Sequence, residues 1–185
     1  GVGRMPTPTI GAVGLIEDIA KIIDATASEG DLAMVLGATE CHLGRSAILW
    51  EVFGRAEGDA PPVDLDAERH ASGFVRDHWD WIHGCTDLSD GGLALAAFEM
   101  AAASGLGVTL DAAPMAQLFG EDQARYLIAA PYDWAEGLMI RAGQAGLPLA
   151  VVGKFGGDTV QIGDSSAPLA ELQAIHDGAF EAAVG

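Results

Sequence analysis

Apolar positions in this chain fall into two kinds of pattern: short unbroken runs, and stretches that repeat every three or four residues. Leu32-Ala33-Met34-Val35-Leu36 is a continuous apolar run of strand length, which predicts a strand buried on both faces. The same reasoning predicts strands at 108–110, 126–129 (ended by Pro131), 149–155 and 159–162, with a short extended segment at 85–88. Ile10 to Ile16 is apolar with Gly11 and Gly14 interspersed, and reads as a further strand whose glycines admit a close neighbour. Residues 18–25 fit either a helix or a second short strand. Ala71, Phe74, Val75, His78 and Ile82 share one helical face, so a long helix is expected from an Asp66 N-cap to about Ile82. Leu93, Ala96, Ala97 and Met100 form the stripe of a small-residue helix running to Ser104, with Gly105 as its C′ residue. Further helices are expected at 46–53, 115–119, 132–145 and 169–184.

Turns punctuate these elements at 28–31, in loops at 37–44 and 54–64, and at Gly156-Gly157-Asp158, which reads as a hairpin joining the last two predicted strands. Strands and helices are mixed without a regular βα alternation. The expectation is therefore an α+β fold, a mixed β-sheet flanked by helices in three layers. Residues 1–9, with Pro6-Thr7-Pro8-Thr9, read as a linker into a domain spanning 10–185. The chain opens Gly1-Val2-Gly3-Arg4-Met5 and is expected to be a piece of a longer protein.

Composition narrows the function classes. Half of the 185 residues are hydrophobic, enough for a substantial core and against disorder. Asp and Glu number 27 against 9 Lys and Arg, a net charge of -18. Such a chain is repelled by a nucleic-acid backbone and by an anionic membrane surface, so neither is an expected partner. No apolar run approaches the roughly 18–20 residues that span a bilayer, and no secretory leader pattern is present. Two cysteines, Cys41 and Cys85, do not make a disulfide framework, and a reducing cytoplasm is the expected compartment.

The sharpest chemical feature is Thr86-Asp87-Leu88-Ser89-Asp90-Gly91-Gly92-Leu93, between an extended segment and a helix. Two readings fit it. Ser89 or Asp90 could be an N-cap with glycines in a tight turn. Alternatively, free N–H groups at the helix start, around Ser89, Asp90, Gly91 and Gly92, could cradle a phosphate, with a nearby Asp on a Mg²⁺ ion that offsets the carboxylate charge. The 37–46 loop loosely resembles a Walker A loop, but six residues separate Gly37 from Gly44 and Arg45 replaces the lysine. Leu118-Phe119-Gly120-Glu121-Asp122-Gln123-Ala124-Arg125 places polar groups before a buried strand, either as part of a site or as a charged turn with a local ion pair. His78 and His83 would lie about 140° apart on a helix, and Cys41 adjoins His42, so the closed spacing of a zinc site is missing. Trp79 and Trp81 read as half-core, half-surface residues. No Gly-x-Ser-x-Gly nucleophile elbow is present.

Pro6-Thr7-Pro8-Thr9-Ile10-Gly11-Ala12-Val13-Gly14, the 86–94 motif and Leu118 to Tyr126 occur in this order, at similar spacing, in one family. The chain resembles the C-terminal part of phosphoribosylformylglycinamidine synthase subunit II (PurL), specifically its last AIR-synthase-type C-terminal domain, over residues 5–165. The resemblance implies a ligase of purine synthesis that converts formylglycinamide ribonucleotide to its amidine with ATP, Mg²⁺ and ammonia. It implies partners: the remaining PurL domains, a glutaminase subunit and a small third subunit. The family's catalytic His lies in a domain this chain lacks, so no catalytic residue and no activity or cofactor is expected of the isolated domain. A pseudo-symmetric nucleotide site carries over onto Asp87 for Mg²⁺ and Ser89 for ATP or ADP.

Three positions depart from the family pattern: Thr86 stands where His is frequent, His42-Leu43-Gly44-Arg45-Ser46 replaces Glu-Leu-Gly-Gly-Ser, and Gly120-Glu121-Asp122-Gln123 replaces Ser-Glu-Ser-Gln. In the family's first half the Glu-Ser-Gln element contacts substrate, and Asp122 would repel a phosphate there. The alternatives are a stand-alone binding module, or an enzyme of thiamine-phosphate kinase or selenophosphate synthase type. The Pro-Thr-Pro-Thr-Ile-Gly lead and the 118–125 element disfavour the two enzyme types.

Overall fold

A computed structural model describes residues 10–184 of the chain, with the side chains of 180, 183 and 184 left aside. The linker expected at 1–9 lies outside the described residues. In chain order the elements are β1 (Leu32–Leu36), α1 (Ala47–Glu51), α2 (Leu65–Asp77), β2 (Gly84–Asp87), α3 (Gly92–Ser104), β3 (Val108–Leu110) and α4 (Met115–Phe119). They continue as β4 (Tyr126–Ala130), α5 (Tyr132–Gln144), β5 (Leu149–Phe155), β6 (Thr159–Ile162), β7 (Ser165–Pro168) and α6 (Leu169–Val184).

The unbroken apolar run of β1 has the role its composition predicts. It lies inside the seven-stranded sheet, between β4 and β5. Successive side chains point to opposite faces. Ala33 and Val35, with Leu127 and Ala129 of β4, enter a core that includes Leu93, Ala97 and Met100 of α3, Leu118 of α4 and Leu169 of α6. Met34 and Leu36, with Ile128 and Ala130, enter a second core with Ala71, Phe74 and Val75 of α2 and Ala135, Leu138 and Ala142 of α5. The result is the expected three-layer α+β architecture. The alanines of α3 let it lie close on the sheet, and Gly105 closes it in the left-handed region at φ 65°.

Strand order is β2-β4-β1-β5-β3-β6-β7, with every pairing antiparallel except β3 with β6. This overturns the hairpin expected at Gly156-Gly157-Asp158, because β3 inserts between β5 and β6. Gly107, just before β3, exchanges backbone hydrogen bonds with Gly156 and Gly157, so the glycines make room for a third strand. The hairpin is instead β6–β7, which the sequence did not reveal. Gly163 is the first of its two loop residues and has φ 56°, the pattern of a type II′ turn.

Other boundaries also move. Residues 10–16 form no strand, and Ile10, Val13 and Leu15 are almost fully exposed. The chain meets the edge of β2 later, at Asp24, which bridges to Gly84 and whose carbonyl accepts the Cys85 N–H. Within 18–25 the chain makes a short 3-10 turn at Ile19–Lys21, capped by Asp18. The N-cap of α2 is Asp64, not Asp66, because its carboxylate accepts from the N–H groups of Asp66 and Ala67. That helix stops at Asp77, short of Ile82. The His78 ring meets the Phe74 carbonyl at 2.8 Å, and Trp79–Trp81 tightens to a 3-10 turn. Helix α1 covers only Ala47–Glu51 of the predicted 46–53.

Candidate functional site

Strand β2 ends at Asp87, opposite Tyr126 of β4. The next residue, Leu88, is buried and donates its N–H to the Arg125 carbonyl at 2.9 Å. That anchor leaves its neighbours Asp87 and Ser89 exposed on one side of the turn. Both line a cleft of about 400 Å³ together with Glu68, Gln123 and Tyr126. Tertiary structure thus joins two motifs that were separate in sequence, 86–93 and 118–125. It adds Glu68 from α2, whose carboxylate accepts from the Ala124 N–H at 2.7 Å and the Tyr126 hydroxyl at 3.3 Å. Burial, with Glu68 beside it, pushes the Tyr126 phenol above its ordinary value.

The rest of the predicted turn is placed differently. Asp90 is exposed but does not line this cleft. Gly91 and Gly92 are buried, at φ 77° and 59°. A Cβ at Gly92 would come 2.5 Å from the Gly120 carbonyl oxygen, so that glycine permits close approach of the α4 end. The Gly91 N–H donates to Glu121 Oε1 at 2.9 Å, and the Gly92 N–H to the Ser89 carbonyl at 3.0 Å. The chain's own carboxylate therefore sits at the start of α3.

Glu121, Asp122 and Arg125 are buried, at 8%, 5% and 2% exposure, which the reading of an exposed charged turn missed. Asp122 accepts the N–H groups of Glu40, Cys41 and His42 at 3.1, 3.0 and 2.9 Å. The amides of the loop that loosely resembled a phosphate-binding loop are thus occupied by a side chain. Arg125 donates to the Gly120 carbonyl at 2.5 Å and to Thr39 Oγ1 at 3.3 Å, and faces Asp122 Oδ2 at 3.6 Å. Burial lowers the Arg125 pKa, and Asp122 opposes that shift. Gly37, at φ 105°, lets the backbone pass against the Ala124 carbonyl. The available signal was distance-independent: two adjacent acids and an arginine immediately before a buried apolar strand.

The remaining candidate ligands are dispersed. The His42 ring meets the Asp59 carbonyl at 2.8 Å, and the His83 ring meets Asp31 at 2.9 Å. Burial, with Asp87 adding to it, pushes the Cys85 thiol up to about 12. Among the described residues no three His, Cys, Asp or Glu side chains converge on one point. A cation bound at Asp87 would therefore depend on oxygens from a ligand or another domain, as Mg²⁺ commonly does.

Over residues 28–164 the sequence matches the family described as AIR synthase related protein, C-terminal domain. The chain belongs to that family. The PurL subunit of phosphoribosylformylglycinamidine synthase from Roseobacter denitrificans is 59% identical over 184 residues, which are 100% of this chain and 26% of that protein. The PurL subunit from a Jannaschia species is 58% identical over 180 residues, 97% of this chain and 25% of that protein. These relatives bear out the resemblance to PurL carried by the three motifs. The chain spans about a quarter of the length of the curated relatives it matches. Among solved structures, T. maritima PurL complexed with FGAR has a TM-score of 0.70 at 19% identity, covering 83% of this chain and 30% of that one. Thiamine-monophosphate kinase from Stenotrophomonas maltophilia has a TM-score of 0.56 at 21% identity, covering 78% and 54%. Both likenesses are of fold.

Proposed function

We propose that this AIR-synthase-related domain is one part of a phosphoribosylformylglycinamidine synthase. The whole enzyme is an ATP-dependent C–N ligase of purine biosynthesis in the cytoplasm, and the domain by itself is inactive. The observation that carries this reading is identity of 58–59% to PurL subunits across essentially the whole chain. The domain supplies one wall of a nucleotide site, formed by Asp87 and Ser89 with Gln123 beside them. Gly91 and Gly92 shape the turn, and Asp90 lies at its exposed tip.

The donor set suits Mg²⁺. Asp87 is an exposed carboxylate and Glu68 shares its cleft, and Mg²⁺ typically takes one or two carboxylates and completes its shell with phosphates and water. Bound there, the ion would neutralise phosphate charge against this acidic wall. Asp87 would hold it and the Ser89 hydroxyl would donate to a phosphate oxygen. Arg125 is the basic residue of the cleft, and its guanidinium is already committed to Gly120 and Thr39. Phosphate affinity therefore depends on the cation and on a second wall. Related solved structures are T. maritima PurL complexed with ATP and with ADP.

The second wall is the rest of the same polypeptide. Ile10, Val13, Leu15, Ile16 and Ile19 are 65–103% exposed along one stretch, apolar surface suited to an adjoining domain. A glutaminase subunit delivering ammonia and a small third subunit complete the assembly. A structure of PurLQS from T. maritima has a TM-score of 0.66 to this chain. The test is Asp87→Asn in the full-length protein. Loss of tightly held nucleotide and of Mg²⁺, with a lower melting temperature, is the expected result. Unchanged nucleotide content, metal content and melting temperature would reduce Asp87 to a residue that starts the turn.

A further inference from the structure

We infer that Glu121 is a positioning residue that holds the Asp87–Ser89 face in its ligand-binding shape. The inference rests on the nucleotide reading above. Glu121 Oε1 accepts two backbone N–H groups from different elements: Ala47 at the start of α1, at 2.7 Å, and Gly91 in the turn before α3, at 2.9 Å. Its own N–H donates to the His42 carbonyl at 2.9 Å. The carboxylate thus ties the start of α1 to the start of α3, and the backbone of the same residue holds the 37–46 loop.

The link to the ligand face is short. Gly91 is two residues from Ser89, and the Gly92 N–H donates back to the Ser89 carbonyl at 3.0 Å. With φ 77° and 59° at consecutive glycines, this turn has little intrinsic preference for one shape. The Gly91 contact with Glu121 supplies a restraint that glycine does not. Glu121 also satisfies the partial positive charge at the beginning of the 13-residue α3. An incoming phosphate is thereby left to the Asp87–Ser89 side of the turn and does not compete for the Gly91 amide.

The test uses the full-length protein with Mg·ADP as the probe, and measures Kd and the ligand-induced rise in melting temperature. Glu121→Ala leaves both amides without their acceptor and should weaken Mg·ADP by about tenfold or more. Glu121→Gln keeps an oxygen where both amides point and should bind within about threefold of the parent. Glu121→Asp withdraws the carboxylate by one methylene and should weaken binding as Ala does; it also serves should Ala not fold. A purely structural Glu121 would lower the melting temperature without ligand and leave Kd and the ligand-induced rise unchanged. That pattern in Ala or Asp, with Asp87→Asn abolishing binding, overturns the inference and leaves the nucleotide reading intact. If Asp87→Asn binds Mg·ADP like the parent, the nucleotide reading fails instead. Amide exchange then decides the clamp: faster exchange at Gly91 and Ala47 in Glu121→Asp but not in Glu121→Gln supports it, and equal exchange overturns it.

Discussion

Asp122→Ala should be among the most destabilising single changes in this domain. The carboxylate is 5% exposed and accepts three consecutive amides at 2.9–3.1 Å. It is also the countercharge of Arg125, which is 2% exposed and 3.6 Å away. Alanine removes the acceptor of all three amides and leaves the buried guanidinium without a countercharge, held only by the carbonyls of Gly120 and residue 122 and by Thr39 Oγ1. Hydrogen bonds to a charged group contribute roughly 1.5–3 kcal/mol each but do not add, and breaking a buried pair from one side costs about 3–5 kcal/mol. The second range is the appropriate one, because the loop can recover some of its amides with water. For a domain of this size that corresponds to a fall of about 6–20 °C in Tm. Asp122→Asn keeps one acceptor oxygen and should lose less than Ala. Arg69→Ala is the control: it removes a pair to Asp66 in which both side chains are at least 79% exposed, and should stay within about 1 kcal/mol. The assay is urea unfolding of the chain and its variants followed by circular dichroism, with the m-value checked for constancy. If Asp122→Ala unfolds at the parent's midpoint with the same m-value, the buried network does not hold the 37–46 loop and the argument fails.

Other outcomes follow from the same structure. Cys85, with its thiol pushed up to about 12 from 9.0, keeps its proton in the folded state while the unfolded chain loses it. The folded state then binds more protons, so stability should fall as pH rises above about 9, and Cys85→Ala should flatten that slope. At pH 8, iodoacetamide should label exposed Cys41 and spare Cys85; two labels per folded chain would contradict this. Val13→Glu with Leu15→Glu should reduce binding of an apolar dye by the isolated chain and shift its stability by no more than about 0.5 kcal/mol. In the full-length protein the same pair should lower the melting temperature, and no change there would count against these residues meeting another domain.

Local pattern in the sequence determined a good deal of this domain. The runs at 32–36 and 126–129 became interior strands of the sheet because burial on both faces demands apolar residues at every position. The helix at 92–104 was legible from its alanines and from Gly105, which relieves the left-handed cap. The Asp87-x-Ser89 element was legible as candidate chemistry because its residues are adjacent in the chain. Tertiary structure decided what sequence-near signals cannot carry. Glycines at 156 and 157 favour a hairpin locally, yet β3 pairs with both β5 and β6 and separates the two strands. Residues 10–16 have the composition of a strand, but a strand forms only by pairing with another, and these residues pair with none. Glu121, Asp122 and Arg125 read as part of a site or as a charged turn with a local ion pair; the Asp122–Arg125 pair forms, but its burial was not legible, since charged side chains are rarely buried unless paired. Their partners are the amides of Glu40 to His42, Ala47 and Gly91 and the oxygens of Thr39 and Gly120. Most of those partners are backbone groups, whose chemistry every sequence shares and whose meeting with these side chains is decided only when the chain folds.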